Sequence, residues 1–471
     1  MPQTRTALNS VRLDRSARTA LHEQIYERIR LAIANRQLAP GERLPSARSL
    51  ASQLGTARGT VDTAYARLTG EGYLLAHGQA GTTVAPMLRP DPAPRPGAPA
   101  KMPVSTDRAD RILPFQMGLP ALDLFPRALW ARLTARAARR LAGPGLAYPD
   151  PAGLPSLREA IAAYLAVSRG VACQPEQVVI TGGYQVALGI LARLLLRPGD
   201  PVWFENPGYF LARRALEAAD ARPVPVPVDE NGLCVDIART HAPDARLAVV
   251  TPAHQSPTGV ALSLPRRQAL LAWAASAGAW IVEDDYDSEF HYVGRKLPAL
   301  KSIDTADRVI YAGSFSKTLF PGLRLGYLVM PATLTGPMLA ALDAGRRGEA
   351  VLGQSVAADF LAEGHFARHL RRMRTLYAAR RQALATALEA AFGNRIELAP
   401  QAGGLSILMR LADGTDDAGL VRRARAHGLA PTALSGYFIG SASRRGLLLG
   451  FTNTPETEAV RHARTLMRAI L

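Results

Sequence analysis

Apolar residues in the first 85 positions recur at the spacing of amphipathic helices. They mark three successive helix faces: Leu21, Ile25, Ile29 and Ile33; then Leu50 and Leu54; then Val61, Tyr65 and Leu68. Pro40-Gly41 ends the first segment, and Gly55 ends the second because glycine adopts the left-handed helix terminus at little cost. Ser46 and Thr56 are the predicted N-terminal caps of the second and third helices, and the second is about eight residues long.

A predicted β-hairpin follows the third helix. Gly70 and Gly72 break the helix, and β-prone runs at residues 73–75 and 82–84 flank the turn HGQAG. This order of elements predicts a helix-turn-helix with a wing, whose third helix would enter the major groove of DNA. The residues expected at the DNA lie at the facing helix ends and the wing tip: Arg48, Arg58, Thr60, His77 and Gly78.

The remainder of the chain, from about residue 113, alternates buried strand-like runs with amphipathic segments. The predicted strands lie at 178–181, 201–205, 247–251, 280–284 and 308–311, with helices between them, for example at 185–196 and 265–277. This alternation predicts an α/β fold with a mainly parallel sheet. Ligands of such folds bind at the carboxyl ends of the strands.

A proline-rich stretch separates the two parts. Seven prolines lie from Pro86 to Pro103, with almost no large apolar residues, a composition typical of an extended, semi-rigid linker. We therefore predict a DNA-binding domain at 14–85, a linker at 86–112 and an α/β domain at 113–471.

Composition and charge narrow the class of protein. The 471-residue chain is 48% hydrophobic and 20% charged, as folded globular proteins are, and it is too long for one small module. Its 56 Lys and Arg against 39 Asp and Glu give a formal charge of +17, which favours a polyanionic partner or anionic ligands.

The sequence has neither a membrane-spanning apolar stretch nor a secretory signal, so we expect a cytoplasmic protein with no membrane partner. Cys173 and Cys234 predict neither a disulfide nor a metal site.

The segment SFSKTLFPGLRLGY, at 314–327, holds the sharpest chemical signal. Only four lysines occur in the chain, and one of them, Lys317, follows a predicted strand, with Ser314 and Ser316 before it and Arg324 seven residues later. A lysine amine forms a Schiff base with an aldehyde, while serine hydroxyls and an arginine suit a phosphate dianion. The segment predicts a pyridoxal phosphate site.

Two upstream motifs support the same cofactor. EDDYDSEF, at 283–290, places carboxylates at the end of an apolar strand, where one of them can keep the pyridine nitrogen protonated. The segment 181–185, TGGYQ, joins a strand to a helix through small residues, so backbone N–H groups can hold the phosphate. A metal at Asp284, Asp285 and Asp287 is the alternative, but the spacing lacks histidine and a glycine-bearing calcium loop.

The N-terminal part resembles the winged-helix domain of the GntR family of bacterial transcription regulators. The resemblance lies in LAPGERLPSARSLASQLG, TARGTVDTAYARLTGEGYL and HGQAGTTVA, within about residues 14–85. It implies binding to a double-stranded DNA operator through Arg48, Arg58, Thr60 and the wing. Gly59 departs from the family at a recognition-helix position that usually carries a polar residue.

The whole chain resembles the MocR subfamily of these regulators, in which a winged helix is fused to a domain with the fold of type I aminotransferases. SFSKTLFPGLRLGY and EDDYDSEF carry this resemblance. It implies that Lys317 holds pyridoxal phosphate as an internal aldimine and that Asp284 pairs with the pyridine nitrogen. Tyr286 would bond the ring oxygen and Tyr209 would stack on the ring. The other cofactor-binding residues that it implies are Gly183, Tyr184, Gln185, His254, Ser256, Ser314, Arg324 and, from the neighbouring subunit of a domain-swapped or head-to-tail homodimer, Tyr148.

Two positions depart from the pattern of aminotransferases. Ser256, in TPAHQSPTG, stands where aminotransferases commonly have an asparagine on the ring oxygen. Leu448, in RRGLLLGF, stands where they have the arginine that clamps a substrate carboxylate. Because a bidentate arginine–carboxylate pair is strong and directional, we expect weakened recognition of ordinary amino-acid carboxylates. Arg444 and Arg445 are the candidates to replace the clamp.

Three functions are compatible with these motifs. In the favoured one, the domain senses an amine effector, or the cofactor vitamer itself, through aldimine formation at Lys317, and shifts the dimer between two states with different arrangements of its DNA-binding domains. In the second, the chain is a working aminotransferase with accessory DNA binding, in which Lys317 acts as general base and Leu448 counts against a carboxylate clamp. The third is a DNA-binding protein with an inactive domain.

Overall fold

The structure, a computed structural model, describes residues 13–17, 19–86, 111–294, 297–345 and 348–470. The chain divides into two compact units, Met1–Arg108 and Ala109–Leu471. Most of the predicted proline-rich linker, residues 87–110, lies outside the described residues.

The first unit consists of three helices followed by a two-stranded hairpin. Its elements are α1 (Leu21–Ala34), α2 (Ala47–Leu54), α3 (Arg58–Gly70), β1 (Leu74–Ala76) and β2 (Thr82–Val84), with the strands antiparallel. The predicted apolar faces share one core that includes Ile25, Ile29, Leu50, Val61 and Leu68. The helix-turn-helix with a wing is therefore confirmed.

The connection between α2 and α3 confirms two predicted helix ends and corrects a third. Ser46 Oγ accepts a hydrogen bond from the Ser49 N–H at 3.2 Å, and Gly55 ends α2 in the left-handed conformation. The prediction that Thr56 caps α3 is wrong, since the N-cap position of α3 is Ala57, and the Thr56 N–H donates to Ala51 O at 3.0 Å at the end of α2. Helix α3 begins after Ala57, which has no capping side chain.

The wing also begins one residue later than its predicted range of 73–75. The Tyr73 N–H donates to Leu68 O at 2.9 Å, so its donor serves the end of α3, while its carbonyl accepts from the Ala85 N–H at 2.9 Å beside the hairpin.

The second unit is built around an eight-stranded, mainly parallel sheet. Its strands are β3 (Val178–Thr181), β4 (Pro201–Asn206), β5 (Arg222–Asp229), β6 (Gly232–Leu233), β7 (Leu247–Val250), β8 (Trp280–Asp285), β9 (Val309–Ser314) and β10 (Gly326–Val329). They lie in the order β3-β10-β9-β8-β7-β4-β5-β6. The run from β5 to β9 is parallel, and β6 and β10 are antiparallel to their neighbours. The predicted fold class is confirmed.

All five predicted strands are present, with ends within one residue of the prediction except in β9. Strand β9 continues beyond the predicted 308–311 to Ser314 because its last residues, Gly313 and Ser314, pair with Tyr327 and Gly326 of β10. Lys317 therefore follows the strand, as predicted, and lies within a short helix.

Helices cover the sheet on both faces. Alternate strand residues enter different apolar cores, Val179 and Ile310 into one, Val178 and Tyr311 into another. The helices of the second unit are α4 (Arg127–Arg140), α5 (Pro155–Arg169), α6 (Tyr184–Leu195), α7 (Phe210–Glu217), α8 (Val235–His241), α9 (Leu264–Ala277), α10 (Phe315–Thr318), α11 (Ala332–Ala344), α12 (Val351–Ala362), α13 (His365–Phe392), α14 (Asp417–Ala426) and α15 (Ala459–Ile470). No helix in the described ranges is long and apolar enough to cross a membrane.

A smaller antiparallel sheet completes the second unit. It contains β11 (Glu397–Leu398), β12 (Ser406–Leu411), β13 (Thr432–Ala433) and β14 (Arg445–Gly450), in the order β11-β12-β14-β13. Leu408 of β12 lies directly opposite Leu448 of β14.

Candidate functional site

A cavity of about 380 Å³ lies at the carboxyl ends of the central strands. Its wall is formed by loops that follow β3, β4, β7, β8 and β9, which meet at one edge of a parallel sheet. Every residue that the sequence assigned to the cofactor, apart from Tyr148, lines this cavity: Gly183, Tyr184, Gln185, Tyr209, His254, Ser256, Asp284, Tyr286, Ser314, Lys317 and Arg324. Tyr148 lies apart from them and is 89% exposed.

Lys317 presents its amine at the wall of this cavity. Its Nζ donates a hydrogen bond to Gly118 O at 2.7 Å. Gly118 has a φ of 79°, which strains any other residue, and a Cβ at this residue would lie 2.8 Å from Nζ, so a side chain here would displace the amine. Burial lowers the pKa of Lys317, although the Asp287 and Asp284 carboxylates oppose this change. The neutral fraction of the amine is therefore larger, as attack on a carbonyl carbon requires.

Asp284 is a buried carboxyl group at the end of β8. Burial and the neighbouring charge of Asp285 raise the pKa of Asp284 well above its ordinary value. A protonated pyridine nitrogen would relieve this cost, because it brings a positive charge and an N–H donor. Asp285 has different surroundings, where its Oδ2 accepts hydrogen bonds from Arg169 Nε at 2.6 Å and Tyr311 OH at 2.7 Å. The described residues contain no group of three or more His, Cys, Asp or Glu placed to hold a metal ion.

An anion cradle lies at the start of α6. Gly183 is the N-cap of this 12-residue helix, and the position of its Cβ would be 3.7 Å from the Arg324 guanidinium. The free N–H groups of the helix start and the guanidinium thus converge. Ser314 Oγ accepts from the Ser316 N–H at 3.2 Å, which leaves its O–H to donate. With Lys317 and Asp284, this donor set fits pyridoxal phosphate.

A chain of polar contacts begins in the cavity wall and joins residues that the sequence did not connect. Asp287 Oδ1 lies 3.0 Å from His254 Nδ1, and His254 Nε2 lies 3.4 Å from His291 Nδ1. Burial opposes protonation of His254, but Asp287 raises its pKa above the ordinary value. The available signal was the position of these polar residues next to apolar strand ends, in EDDYDSEF and TPAHQSPTG.

A glycine pair just before strand β12 lies against the cavity beside His254. Gln401, Gly403, Gly404 and Ser406 line this side, and a side chain at Gly403 would collide with the His254 ring. The glycines immediately before β12 were the sequence signal for this close approach.

The side chains that surround Leu448 are apolar. Leu448 is fully buried and packs in a cluster with Leu408, Leu434 and Tyr437, next to Tyr209 of the cavity wall. Arg444 and Arg445 line a different cavity, of about 880 Å³. The structure therefore does not bring either arginine into the cofactor cavity as a replacement for the clamp.

Residues predicted to contact DNA lie on the surface of the first unit. Arg48 and Arg58 are exposed and Thr60 is half-buried. Arg58 Nε is 3.3 Å from Asp62 Oδ2 within α3. Arg58 and Thr60 lie together at the start of α3. His77 and Gly78 lie in the exposed turn between β1 and β2. His77 Nε2 is 3.0 Å from Thr83 Oγ1, so His77 also stabilises the wing.

Glu205, which lies beneath the cavity, predicts a measurable pH dependence of stability. Burial raises its pKa to about 7 from an ordinary 4.5, even though it accepts hydrogen bonds from Thr251 Oγ1 at 2.6 Å and Gln255 Nε2 at 3.1 Å. The folded state then binds more protons than the unfolded state between these pH values, so the free energy of unfolding falls as pH rises from 4.5 to 7.

We expect Glu205→Gln to remove this contribution, which is on the order of 3 kcal/mol. Urea unfolding at intervals from pH 5 to pH 8 measures the difference between wild type and variant. A difference that does not change with pH would contradict the assignment.

Comparisons with known proteins agree with both units. Residues 21–84 match the family "Bacterial regulatory proteins, gntR family", and residues 117–429 match "Aminotransferase class I and II". The probable rhizopine catabolism regulatory protein MocR of Rhizobium meliloti is 39% identical over 453 residues, which cover 93% of this chain and 91% of that protein. The chain belongs to the MocR subfamily of GntR regulators.

Further relatives of this MocR-type chain support the two-part architecture. The HTH-type pyridoxine biosynthesis transcriptional regulator PdxR of Corynebacterium glutamicum is 36% identical and covers 93% of each chain. The solved structure of LysN, the alpha-aminoadipate aminotransferase of Thermus thermophilus, complexed with N-(5'-phosphopyridoxyl)-L-leucine, is 31% identical with a TM-score of 0.70. It covers 76% of this chain and 92% of that one.

Membership of the MocR subfamily confirms the predicted winged helix fused to a fold type I aminotransferase-like domain. It also confirms the predicted cofactor at the level of the family, because class I and II aminotransferases depend on pyridoxal phosphate. The roles of the individual cavity residues remain predictions.

Proposed function

We propose that this chain is a transcription regulator that binds operator DNA through its first unit, binds pyridoxal phosphate at Lys317 and responds to a small amine. The observation that carries the proposal is the single cavity in which a lysine of lowered pKa, a buried carboxyl group and an anion cradle converge. The proposal keeps the predicted domain limits, 14–85 and 113–471. When bound, pyridoxal phosphate supplies an electrophilic carbon that either Lys317 or a ligand amine can hold.

Each part of the cavity has a separate task in this proposal. The start of α6, Ser314 and Arg324 hold the phosphate through N–H and O–H donors. Asp284 accepts the N–H of the pyridine ring. Lys317 holds the cofactor. When a ligand displaces it, Nζ takes up a proton, which the charge of the Asp287 carboxylate favours because it raises the pKa of the amine.

The remaining predicted residues complete the pocket. Tyr209 stacks on the ring, Tyr286 bonds the ring oxygen, and Gln185, His254 and Ser256 lie on the wall around it. Tyr148, which is exposed in one subunit, reaches the phosphate of the neighbouring subunit in a homodimer.

Sensing follows from the contacts that Lys317 exchanges. The 2.7 Å hydrogen bond from Nζ to Gly118 O is a contact of the free lysine amine. An amine that displaces Lys317 from the cofactor would return Nζ to this contact and add a ligand against the segment that carries Gly403 and Gly404. A ligand that interacts differently with two states of a protein shifts the equilibrium between them. We propose that these two states differ in their affinity for DNA.

DNA affinity of the full-length protein tests this proposal. Double-stranded oligonucleotides selected by the protein from a random pool serve as the probe, and fluorescence anisotropy measures their dissociation constant at fixed salt. We expect a panel of amines to contain at least one that changes the affinity of cofactor-loaded protein about fivefold or more, and Lys317→Ala to remove the change. A response to pyridoxal phosphate alone identifies the vitamer as the effector. No response to amine or cofactor would overturn the sensing proposal.

Transamination is a second candidate, favoured by the Lys317 amine and the Asp284 carboxyl group in one cavity. Incubation with amine donors and an α-keto acid measures it. Formation of the corresponding amino acid beyond one equivalent per subunit would make the chain an enzyme rather than a sensor.

The proposed binding of operator DNA by the first unit can be tested separately. We expect Arg58→Ala to weaken operator binding by about 1–3 kcal/mol, because it removes a phosphate or guanine contact from the start of α3. Arg28→Ala is the matched control, since Arg28 is exposed on α1 and its loss removes the same charge. Equal dissociation constants for the two variants at equal salt would contradict the predicted role of Arg58.

A further inference from the structure

Positive charge is concentrated on two helices of the second unit. Residues 109–471 carry a formal excess of ten positive charges. Helices α4 and α13 together contain eleven arginines and a single acidic residue, Glu389. These two helices account for the whole excess, because the rest of the unit has equal numbers of acidic and basic side chains.

Seven of these arginines form one surface, which we call the basic face. They are Arg132, Arg136, Arg139 and Arg140 of α4 and Arg368, Arg371 and Arg372 of α13. Residues three, four or seven positions apart lie on the same side of a helix, so each helix presents its arginines as a row. The two rows meet at the end of α12, where Arg136 and Arg140 both contact the Asp359 carboxylate. Arg368 Nη2 donates to Glu363 O, one residue beyond α12, at 3.2 Å.

Four arginines of the basic face have no counter-charge. No ion pair with a described residue is formed by the exposed side chains of Arg132, Arg139, Arg371 and Arg372. Like charges one helical turn apart repel one another, and a bound polyanion would relieve this repulsion. The basic face is therefore suited to a ligand that carries several negative charges.

Duplex DNA matches this surface better than a membrane or another protein does. A duplex carries one negative charge per about 1.7 Å of its axis, and arginine pairs with phosphate oxygens through two parallel N–H donors. Membrane surfaces and protein interfaces instead use large apolar side chains next to the charged ones. None of the large apolar side chains of α4 and α13 is exposed. The chemistry of the basic face is thus that of a contact with a phosphate backbone.

The two helices of the basic face pack against the segment that carries Lys317. On α13, His369 Nε2 is 3.0 Å from the carbonyl oxygen of Thr318, the residue after Lys317. On α4, the Trp130 ring packs edge-on against Phe320, with 5.3 Å between the ring centroids. DNA bound to the basic face would therefore contact the two helices that support the Lys317 segment.

We infer that the basic face is a second DNA-contacting surface, which binds the phosphate backbone outside the stretch that the winged helix reads. The inference rests on the proposed function, since the first unit must bring the DNA to the protein. Phosphate contacts carry no sequence preference of their own. The basic face therefore adds affinity, and the winged helix supplies the sequence specificity.

Duplexes of two lengths test this inference. Both contain the sequence that the full-length protein selects from a random pool. The short duplex ends at the limits of that sequence, and the long duplex adds two helical turns of unrelated sequence on each side. Fluorescence anisotropy measures the dissociation constant of each duplex at several salt concentrations. We expect the full-length protein to bind the long duplex about tenfold or more tightly than the short one, with a steeper salt dependence.

A combined variant assigns the additional affinity to the basic face. It replaces with glutamine the four arginines that have no counter-charge: Arg132→Gln, Arg139→Gln, Arg371→Gln and Arg372→Gln. These substitutions break no ion pair, and urea unfolding checks that the variant keeps the stability of the wild type. We expect the variant to lose its preference for the long duplex. The slope of log affinity against log salt should fall by about 3–4, since each lost phosphate contact lowers it by about 0.9.

A control variant removes the same charge from other parts of the second unit. It combines four substitutions of exposed arginines on α6, β5, α8 and the residue before β7: Arg193→Gln, Arg222→Gln, Arg239→Gln and Arg246→Gln. We expect this variant to keep the preference for the long duplex. An equal loss in the two variants would show that net charge, and not the basic face, determines the affinity.

The remaining outcomes separate this inference from the proposed function. A wild-type protein that binds neither duplex would contradict the proposed function. Equal binding of both duplexes by the wild type, or an unchanged length preference and salt slope in the combined variant, would overturn only the second surface. Vesicles that contain an anionic phospholipid are the probe for another partner. If the combined variant loses binding to vesicles but keeps the wild-type affinity for the long duplex, the basic face is a membrane contact and the inference is wrong.

Discussion

Replacing Lys317 with alanine removes the Schiff-base absorption band that the full-length protein gains with pyridoxal phosphate, and it abolishes the response of DNA binding to amines. Within the described ranges, Lys317 is the only lysine that lines the cofactor cavity. Lys301 is engaged elsewhere, with Nζ donating to Val309 O at 2.7 Å. The anion cradle does not include Lys317, so the variant should still bind the cofactor without a covalent link.

Borohydride reduction followed by peptide mass analysis checks the attachment point directly. The chain has only four lysines, Lys101, Lys296, Lys301 and Lys317, so a single labelled peptide identifies the residue. Lys301→Arg is the control and should keep both the absorbance and the label. A label on any other lysine, or an absorbance unchanged in Lys317→Ala, would refute the assignment.

Asp285→Ala lowers the free energy of unfolding of the second unit by about 3–5 kcal/mol. The Arg169 and Asp285 side chains are each 1% exposed, and Arg169 Nε lies 2.6 Å from Asp285 Oδ2. Tyr311 OH also donates to this oxygen. Removing the carboxylate leaves a guanidinium buried without this counter-charge, and the surrounding strands give water little access to it.

An exposed ion pair of the same unit provides the comparison. Arg461→Ala removes the exposed contact between Arg461 and Glu458. We expect it to change the free energy of unfolding by less than about 1 kcal/mol. Urea unfolding of cofactor-free protein measures both variants. The double variant Arg169→Met/Asp285→Leu should recover part of the loss, because it removes both buried charges. If Asp285→Ala and Arg461→Ala lower the free energy of unfolding by similar amounts, the buried pair contributes no more to stability than the exposed one.

The helix-turn-helix could be predicted well because its signals are local. A cap at Ser46 and a left-handed glycine at Gly55 act within a few residues, and the structure has both. Thr56 was misassigned because its backbone N–H completes α2, a choice between two neighbouring helices that the residue type does not reveal.

The cavity could be predicted only as far as contiguous motifs extend. Lys317, Asp284 and Gly183 lie at the ends of recognisable strands, and the general rule for parallel sheets brings those ends together. The contact between Lys317 and Gly118 joins residues 199 positions apart and has no local signal. Likewise, the sequence indicated the missing arginine at Leu448, but only the pairing of β12 with β14 places Leu408 opposite it.

The chain order of the two units has a consequence for protein synthesis. The elements of the DNA-binding unit, with an apolar core of its own, end at Val84, whereas the smaller sheet beside the cofactor cavity is complete only at Gly450. At about 5–20 residues per second, a ribosome needs on the order of 20–70 s to translate this interval. Because domains generally fold from the N-terminus during translation, each nascent copy presents a folded winged helix well before its aminotransferase-like domain is complete.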